Sequence, residues 1–386
     1  MSENPRILCV HQGGELYGSD RSFLQCVTAF REGWPGSQIK VILAVDGPLR
    51  AHLENVADKV VTRSLSVLRL ANPLETLAKS TIACPYYIGR AAADIRAADL
   101  AYINTTVISD YMIAARFFAE KCVIHAREIP KPKALPVIGG LLKWSRAGVI
   151  FNSQATARAF ALPNGQRQAV IYNGVEAANR AKPPVLGEAF GPGRTLRIAM
   201  LGRINDWKGQ DLLVEALALL DDADRAKVST RIVGSAYLDR LDPIKCLREK
   251  VSSAGLDDVV TLEPFTDDPG EVYRWSDVCI VPSRLPEPFG RVAIEAMSEA
   301  RSVIASAHGG PLEIVEDGQS GWLFKPNDAA DLAKCIRECI ARPQLVTRRG
   351  NKALERFEAL FSADILSLKI RAKIAEWVPP LSNSTD

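Results

Sequence analysis

The feature that most constrains the fold is a regular alternation of short apolar runs with helical patterns. In the first half, strands are predicted at RILCVH, KVILAV, LAYIN, KCVIHA, GVIFN and AVIYN, with helical stretches between them at 20–31, 49–57, 107–120, 134–146 and 153–162. Short apolar runs bounded by turns are typical of strands buried on both faces. Repeated strand and helix units form parallel sheets through right-handed crossovers, so this half predicts a doubly wound α/β domain.

The alternation stops once and then restarts. Residues 174–194, GVEAANRAKPPVLGEAFGPGR, are rich in Pro and Gly, and the strand pattern resumes with LRIAMLG, STRIVG, VVTL, DVCIV and SVIAS. A chain of 386 residues is also too long for one ordinary core. We therefore predict a Rossmann-like domain at 1–178, a linker at 179–194 and a second Rossmann-like domain at 195–360. A helical tail at 361–386 is expected to pack back on the first domain, and ligands are expected in a cleft lined by post-strand loops.

Composition excludes several classes of protein. The sequence has no run of 18 apolar residues, and MSENPRI lacks a basic-then-apolar pattern, so neither a membrane span nor a secretory signal is predicted. The eight cysteines form no C-x-x-C pair, which indicates reduced, buried thiols of a cytoplasmic protein. Residues 1–180 hold 21 Lys and Arg against 14 Asp and Glu, and residues 181–386 hold 27 against 31. Neither half is basic enough to predict nucleic-acid binding.

Two post-strand loops of the first half are candidate ligand sites. HQGGELYGSDRS combines glycines with a helix start near Ser19 or Asp20, so its backbone amides could meet an anion. A plain turn is the alternative. His125 and Arg127 follow the strand KCVI, and His125 is either a residue that faces the ligand or a structural histidine.

The loop GRINDWKG of the second half is more informative. Arg203 and Lys208 lie directly before the predicted helix QDLLVEALALL. An arginine fork and a lysine beside a helix N-terminus are suited to neutralise a diphosphate. The alternative is a pair of solvated basic side chains.

The stretch PEPFGRVAIEAM places Glu287 in a loop and Glu295 about two turns inside a helix. Carboxylates that act together on one glycosidic bond lie about 5 to 9.5 Å apart. Eight helical residues span about 12 Å, so this spacing favours two ends of one long ligand. A capping carboxylate and an ordinary surface glutamate are the alternative.

Taken together, these motifs resemble the retaining GT-B glycosyltransferases of glycosyltransferase family 4. The resemblance rests on the series GR…KG, PEPFG…EAM, the Gly309-Gly310-Pro311-x-Glu313 segment and DGQSGWLF, with YGSDRS and VIYNGVE in the first half. It covers nearly the whole chain and is strongest from about 196 to 325. YGSDRS departs from the family pattern because Asp20 stands where many relatives have Glu, which leaves open which glycine meets phosphate.

The resemblance implies roles for the donor site. Arg203 and Lys208 would clamp the diphosphate of a nucleotide sugar, Glu287 would contact the transferred sugar, and Glu295 would bind the ribose hydroxyls. The remaining implied donor contacts are His125 near the sugar, Gly18 at the diphosphate, and the turn Phe289, Gly290 and Arg291.

The resemblance also implies a mechanism without paired acid and base. The leaving phosphate oxygen would accept the proton of the acceptor at the front face of an oxocarbenium-like sugar, and the cations around the diphosphate would stabilise its developing charge. No metal and no cofactor are expected. The D-x-D match at 222–224 is interpreted as a solvated cluster at a helix end.

The acceptor is the least determined partner. Residues 127–146 are basic, apolar and Trp-bearing, and contain Lys131, Lys133, Lys143, Trp144 and Arg146. Such a segment suits an anionic bilayer surface, whereas the alternative is an amphipathic helix packed on the first sheet. The sequence predicts a peripheral enzyme at the cytoplasmic face of the inner membrane that extends a glycan or lipid-linked saccharide. A non-catalytic GT-B scaffold subunit and a nucleotide-sugar epimerase are the other candidates.

Overall fold

The computed structural model describes residues 4–68, 73–176, 193–236 and 242–378. It forms two compact units, one made of Met1–Gly174 with Ala363–Asp386 and the other of Val175–Ser362. We call them unit 1 and unit 2. The predicted linker at 179–194 lies outside the described residues except for its last two positions.

The described residues of unit 1 form a seven-stranded parallel sheet with the order β3-β2-β1-β4-β5-β6-β7. Its strands are β1 (Arg6–His11), β2 (Gln38–Leu43), β3 (Lys59–Thr62), β4 (Leu100–Asn104), β5 (Cys122–Ala126), β6 (Gly148–Phe151) and β7 (Gln168–Val170). Its helices are α1 (Gly18–Gly33), α2 (Leu49–Glu54), α3 (Pro73–Ala97), α4 (Ser109–Ala115), a 3-10 helix (Arg116–Lys121), α5 (Leu135–Ser145) and α6 (Gln154–Phe160).

Both faces of this sheet are covered, as expected for strands that are apolar throughout. In β1, Ile7 and Cys9 belong to one apolar cluster, while Leu8 and Val10 belong to the cluster on the opposite face. Successive side chains of a strand point to opposite faces, so both clusters are buried by the same short run. The final helix, α15 (Ala363–Trp377), contributes Ile370, among other residues, to the first cluster together with residues of α1.

The described residues of unit 2 form a six-stranded parallel sheet with the order β10-β9-β8-β11-β12-β13. Its strands are β8 (Leu196–Leu201), β9 (Val228–Val233), β10 (Val260–Glu263), β11 (Val278–Val281), β12 (Ser302–Ser306) and β13 (Gly321–Phe324). Its helices are α7 (Gln210–Ala218), α8 (Asp222–Arg225), α9 (Asp242–Ser253), α10 (Pro269–Trp275), α11 (Arg291–Ser298), α12 (Pro311–Ile314), α13 (Ala329–Ala341) and α14 (Pro343–Leu360).

The predicted fold class, two Rossmann-like doubly wound α/β domains, is confirmed. The sequence pattern missed β3, β13 and the 25-residue helix α3. Among the described residues, no helix is long and apolar enough to cross a bilayer.

The prediction for the cysteines is correct only in part. The seven described cysteine side chains are unpaired. Cys9, Cys122 and Cys279 are buried as predicted, but Cys246 is exposed and Cys335 is only half-buried. Both lie on helices, α9 and α13.

Candidate functional site

The loop after β8 presents Lys208 at the carboxyl end of the unit 2 sheet. The Asn205 side chain accepts hydrogen bonds from the backbone amides of Trp207 and Lys208, at 3.2 and 3.0 Å. Gly209 then begins α7 with φ +81°. A Cβ at this position would lie 2.0 Å from the carbonyl oxygen of Pro282. Glycine is therefore required here, both for the left-handed backbone and for the close approach to the loop after β11.

The loops after β11 and β12 join along a second close backbone contact. The amide of Gly310 donates to the carbonyl of Glu287 at 2.8 Å, and Glu287 pairs with Gly309 as an isolated bridge. A Cβ on Gly309 would lie 2.4 Å from the Glu287 carbonyl oxygen, and one on Gly310 would lie 2.0 Å from that of Phe289. The Gly-Gly pair thus fixes the position of the glutamate loop.

Lys208 and Glu287 meet where these loops converge. The Nζ atom of Lys208 is 2.8 Å from Oε1 of Glu287, which also accepts a hydrogen bond from Ser283. Burial disfavours the ionised carboxylate, but the charge of Lys208 and the hydrogen bonds from Lys208 and Ser283 outweigh it and lower the pKa of Glu287. Nζ also lies 4.4 Å from the Trp207 ring centroid, close enough for a cation–π contact. The site therefore holds a buried carboxylate beside a lysine whose side chain is 19% exposed.

Arg203, Phe289 and Gly290, which were also predicted as donor-site residues, lie in the same two loops as Lys208 and Glu287. Arg203 is half-buried in the loop after β8, and its carbonyl accepts a hydrogen bond from Gln210 at 3.0 Å. Gly290 has φ +105° and precedes the first residue of α11. Phe289 is buried against Phe361, with ring centroids 6.1 Å apart.

Glu295 lies on α11, but little more than one turn from its start at Arg291 rather than the two turns predicted. The helix begins at Arg291 because Gly290 takes the left-handed conformation that ends the preceding loop. Arg291 Nε is 2.7 Å from Oε1 of Glu295, and the Tyr273 hydroxyl donates to Oε2 at 3.0 Å. Burial, followed by the charge of Glu295, raises the pKa of Tyr273 well above its usual value. Glu295 is therefore oriented from both sides.

A second polar cluster lies at the carboxyl ends of three strands of unit 1. His11, Asn104 and His125 are in register on β1, β4 and β5 and are all buried. The Nε2 atom of His11 is 2.7 Å from Oδ1 of Asp20, and its Nδ1 is 2.9 Å from the Asn104 side-chain nitrogen. The Tyr102 hydroxyl is 2.6 Å from Nδ1 of His125. Burial, followed by the charge of Arg127, holds the pKa of His125 well below its usual range.

The Arg127 side chain links the members of this cluster. It is buried and donates to the side-chain oxygens of Asn104 and Asn173, the second at 2.5 Å. Its Nη2 atom lies 3.3 Å from both the Tyr102 hydroxyl and Nδ1 of His125. Among the described residues, no hydrogen-bond partner of this guanidinium is a carboxylate.

The N-terminal glycines have distinct structural roles. A Cβ on Gly13 would lie 2.0 Å from Oδ1 of Asp20, and one on Gly14 would lie 2.8 Å from the Val45 carbonyl oxygen. These two glycines therefore permit close packing. Gly18 is exposed and is the first residue of α1, one residue earlier than the predicted start at Ser19. Asp20 accepts a hydrogen bond from the Tyr17 amide at 3.1 Å, which orders this helix start.

The basic segment of unit 1 forms α5, and its two faces differ. Ile138 and Leu142 are buried in the unit 1 core. Val137 and Trp144 are 56% and 45% exposed, and Phe117, in the 3-10 helix, is 69% exposed with its ring centroid 6.5 Å from that of Trp144. The four predicted cationic residues are all exposed: Lys131, Lys133, Lys143 and Arg146. One face of α5 is thus an ordinary core helix face. The other is exposed and carries Trp144 and Lys143, with Lys131, Lys133 and Arg146 just beyond the helix ends.

Several polar residues of these clusters were not singled out from the sequence. They are His11, Tyr102, Asn104, Asn173, Trp207, Tyr273, Ser283 and His308, whose Nε2 lies 2.7 Å from the Ser283 carbonyl oxygen. Position in the sequence could have identified three of them, because His11 and Asn104 are the last residues of their strands and Ser283 follows β11 by two residues. In the part of the chain that the structure describes, no three His, Cys, Asp or Glu side chains are grouped to hold a metal ion. The D-x-D match has an exposed Asp222 at the start of the four-residue helix α8.

Residues 190–356 match the family model described as glycosyl transferases group 1. The D-inositol 3-phosphate glycosyltransferase of Geodermatophilus obscurus is 32% identical over an alignment of 250 residues that covers 58% of this chain and 55% of that protein. The lipopolysaccharide core biosynthesis mannosyltransferase LpcC of Rhizobium leguminosarum bv. viciae is 31% identical over an alignment of 204 residues that covers 50% of this chain and 56% of that protein. The chain thus spans about half the length of the curated relatives it matches.

The structural likeness covers more of the chain. Anabaena Alr3699/HepE, solved in complex with UDP, has a TM-score of 0.79 and 26% identity over 96% of this chain and 100% of its own. The same protein solved with UDP-glucose has a TM-score of 0.77 and 25% identity over 97% of this chain and 100% of its own. Residues 190–356 thus resemble group 1 glycosyltransferases, and the likeness to HepE extends a GT-B architecture over nearly the whole chain.

Proposed function

We propose that this protein is a retaining, metal-independent glycosyltransferase of family 4. It moves a hexose or deoxyhexose from a nucleoside-diphosphate sugar, of the UDP-sugar or GDP-mannose type, to a glycan or lipid-linked saccharide in cell-surface polysaccharide or lipopolysaccharide synthesis. The observation that carries the proposal is the cluster of Lys208, Ser283 and Glu287, which lies within the residues that match the group 1 model. The mannosyltransferase name of one relative and the UDP-glucose complex of HepE support this range of donors.

The cluster is suited to a negatively charged leaving group. Lys208 is held in place by Glu287 and Trp207, yet part of its side chain remains accessible. A diphosphate oxygen can therefore approach Nζ without a large rearrangement, and Arg203 in the same loop supplies a second cation. Fixed positive charges next to the departing diphosphate stabilise the charge that develops on it, which is the role a metal ion fills elsewhere.

The two glutamates serve the sugar and the nucleoside in this proposal. Glu287 is ionised because its pKa is lowered, so it accepts hydrogen bonds from hydroxyls of the transferred sugar. Glu295 accepts from ribose hydroxyls in an orientation set by Tyr273 and Arg291. His125 and Gly18 retain the roles implied by the resemblance, contact with the sugar and approach to the diphosphate.

A thermal-shift titration with UDP, GDP, ADP and dTDP tests the donor site. A ligand at 100 times its Kd adds about 2.7 kcal/mol to the free energy of unfolding, so the correct diphosphate should raise Tm clearly above the others. Lys208→Ala should remove that shift, whereas the exposed Lys245→Ala in α9 should keep it. If none of the four diphosphates raises Tm in the native protein, the donor site is wrong and a scaffold function is favoured.

Turnover measurements test the reaction itself. An α-linked donor should give an α-linked product by NMR, and the rate should be unchanged in excess EDTA. A β-linked product would contradict retention. A rate abolished by EDTA and restored by a divalent ion would contradict metal independence.

We further propose that the outward face of α5 docks on an anionic membrane surface. This basic aromatic patch consists of Lys131, Lys133, Val137, Lys143, Trp144 and Arg146, with Phe117 from the 3-10 helix. The amphipathic aromatic rings are suited to the headgroup level of a bilayer, and each nearby cation contributes about 1 kcal/mol on an anionic surface. Val137 and Trp144 are seven residues apart, so they share one helix face.

Vesicle flotation with phosphatidylglycerol-containing liposomes at low salt tests the patch. Trp144→Ala should weaken binding, and Lys131→Glu with Lys133→Glu should weaken it further in a salt-dependent way. Tyr86→Ala removes another exposed aromatic residue, 65% exposed on α3, and should leave binding unchanged. If all these variants bound the vesicles equally, or if the native protein did not bind them, the proposed membrane docking would be wrong.

A further inference from the structure

The buried Arg127 side chain determines the direction of the hydrogen bonds around it in unit 1. A guanidinium carries five N–H donors in a fixed plane and no acceptor. Arg127 places these donors against the side chains of Asn104, Asn173, Tyr102 and His125, and against the Ser22 carbonyl oxygen and Cys26 Sγ. Every atom that faces it must therefore act as an acceptor, which fixes the direction of the hydrogen bonds around it.

The first consequence concerns His125. A proton on its Nδ1 would face an N–H of Arg127, at a nitrogen–nitrogen separation of 3.3 Å. Nδ1 is therefore the unprotonated nitrogen and accepts the Tyr102 hydroxyl proton at 2.6 Å. The single ring proton must then be on Nε2. That atom is buried, and it has no hydrogen-bond partner among the residues that the structure describes.

The same reasoning continues to the next histidine. Asn104 uses its side-chain oxygen to accept from Nε of Arg127, so its side-chain nitrogen points to Nδ1 of His11 at 2.9 Å. Nδ1 of His11 is then an acceptor, and the proton on Nε2 is donated to Asp20 at 2.7 Å. One arginine thus sets the tautomer of two histidines on β1 and β5, the strands on either side of β4.

We propose that Arg127 is a positioning residue that fixes His125 as a neutral imidazole with its proton on Nε2. In this state Nδ1 of His125 accepts from Tyr102, and Nε2 acts only as a hydrogen-bond donor. Its partner is an oxygen atom of the bound sugar, and the imidazole cannot take a proton at Nε2. The identity of this partner rests on the proposed function, whereas the tautomer and charge state do not.

The groups that surround His125 all favour its neutral form. The titratable and charged groups that face the cluster are Arg127 itself, Tyr102 on β4, Cys26 on α1, and the Asp20 and His11 pair. Cys26 Sγ lies 3.2 Å from Nη2 of Arg127, and burial raises the pKa of Tyr102 well above its usual value. Among these groups the only carboxylate, Asp20, is taken up by His11 and the Tyr17 amide. Among the described residues, no hydrogen bond therefore directs a carboxylate at the His125 ring.

Nitrogen-15 NMR of the full chain labelled at histidine tests this inference directly. Protonated and bare ring nitrogens resonate in separate ranges, and the His125 signals are those missing from a His125→Gln sample. We expect the Nε2–H form of His125 at every pH from 8 to 5.5. A native His125 protonated on Nδ1, or one that titrates with an ordinary histidine pKa, overturns the proposal.

Variants separate positioning from simple stability. Arg127→Met should move the titration of His125 to higher pH and mix its tautomers, because the facing cation is lost. Arg167→Met is the matched control, since Arg167 also links parts of unit 1, with hydrogen bonds to the carbonyls of Ala119, Glu120 and Trp377. It should leave His125 unchanged. If Arg127→Met does not fold, Tyr102→Phe provides the second test, since it keeps the guanidinium but removes the donor to Nδ1, together with one acceptor of Arg127, and should also mix the tautomers.

Activity gives an independent reading. Arg127→Lys should lower kcat by up to about 100-fold with little change in the donor KM, as expected when a group that acts on the sugar is displaced by a fraction of an ångström. If no donor supports turnover but the NMR result holds, the proposed function fails and the assignment of the tautomer stands. If Arg127→Met keeps the native tautomer and titration, Arg127 is not a positioning residue.

Discussion

The two polar clusters stabilise a buried charge in different ways. In unit 1 the buried cation of Arg127 is shared among neutral acceptors, and in unit 2 the buried anion of Glu287 is paired with Lys208. The first arrangement is fixed, because the guanidinium is buried and its hydrogen bonds run to protein groups on several elements. The second has a partly exposed lysine that can turn to a ligand phosphate. A fixed donor and an exchangeable ion pair are therefore expected to respond differently to mutation and to pH.

The largest expected effect is on turnover in unit 2. Glu287→Gln and Lys208→Ala should each reduce kcat by about 100-fold or more, because each removes one side of the same charged pair. The double variant should be little worse than either single variant, since residues that act as a unit are not additive. Asp222→Asn, at an exposed acid of unit 2, is the control and should retain full activity. If the two reductions in kcat multiplied in the double variant, Lys208 and Glu287 would act separately. The description of unit 2 as one exchangeable ion pair would then be wrong.

The next effect is on the stability of unit 1. Arg127→Met leaves the buried oxygens of Asn104 and Asn173 without their donor, and each such loss costs about 1 to 3 kcal/mol. We expect the free energy of unfolding to fall by about 3 kcal/mol or more, measured by calorimetry. Arg158→Met, at an exposed arginine of α6, should change it by less than about 0.5 kcal/mol. Similar Tm values for the two variants would show that the Arg127 fork is not a structural centre of the cluster.

A smaller effect is expected from the glycine that brings the unit 2 loops together. Gly209 and Gly255 both have positive φ, but only Gly209 faces a backbone oxygen where a Cβ would stand. Gly255→Ala should therefore cost only the left-handed backbone penalty of about 1 to 2 kcal/mol. Gly209→Ala should cost more and should also weaken diphosphate binding, because the Lys208 loop moves away from the loop after β11. Equal diphosphate affinity in the two variants would show that this loop contact does not set the position of Lys208.

The sequence predicted most strands of both sheets, including the edge strands β7 and β10. β1, β4 and β12 have the predicted bounds, and His125, Lys208 and Glu287 were proposed as site residues because ligand residues follow such strands. The edge strands β3 and β13 were missed although β10 also has only four residues, so strand length alone does not explain the difference. α3 was missed, and it contains Pro85, a residue that argues against a helix interior. Asn173 was missed for another reason, since its hydrogen bond to Arg127 joins positions 46 residues apart.

The smallest expected difference between the two clusters is in the pH dependence of the free energy of unfolding. The pKa of His125 is lowered on folding, so below about pH 6.5 the unfolded chain binds a proton at this site that the native state does not bind. The free energy of unfolding must then fall with decreasing pH, by up to about 1.4 kcal/mol per unit from this site. The pKa of Glu287 is also lowered, but from a usual value of 4.5, so the stability it contributes is lost only as pH falls below that value.

Calorimetry between pH 7.5 and 5 isolates the His125 contribution. His125→Gln should flatten the decline in Tm over this range, whereas Glu287→Gln should leave the slope of the native protein unchanged. The slope is the relevant quantity, because either substitution can also shift Tm by a constant amount. If His125→Gln keeps the native slope, the buried imidazole is protonated in the folded state, and the contrast between a fixed neutral donor in unit 1 and an exchangeable ion pair in unit 2 fails.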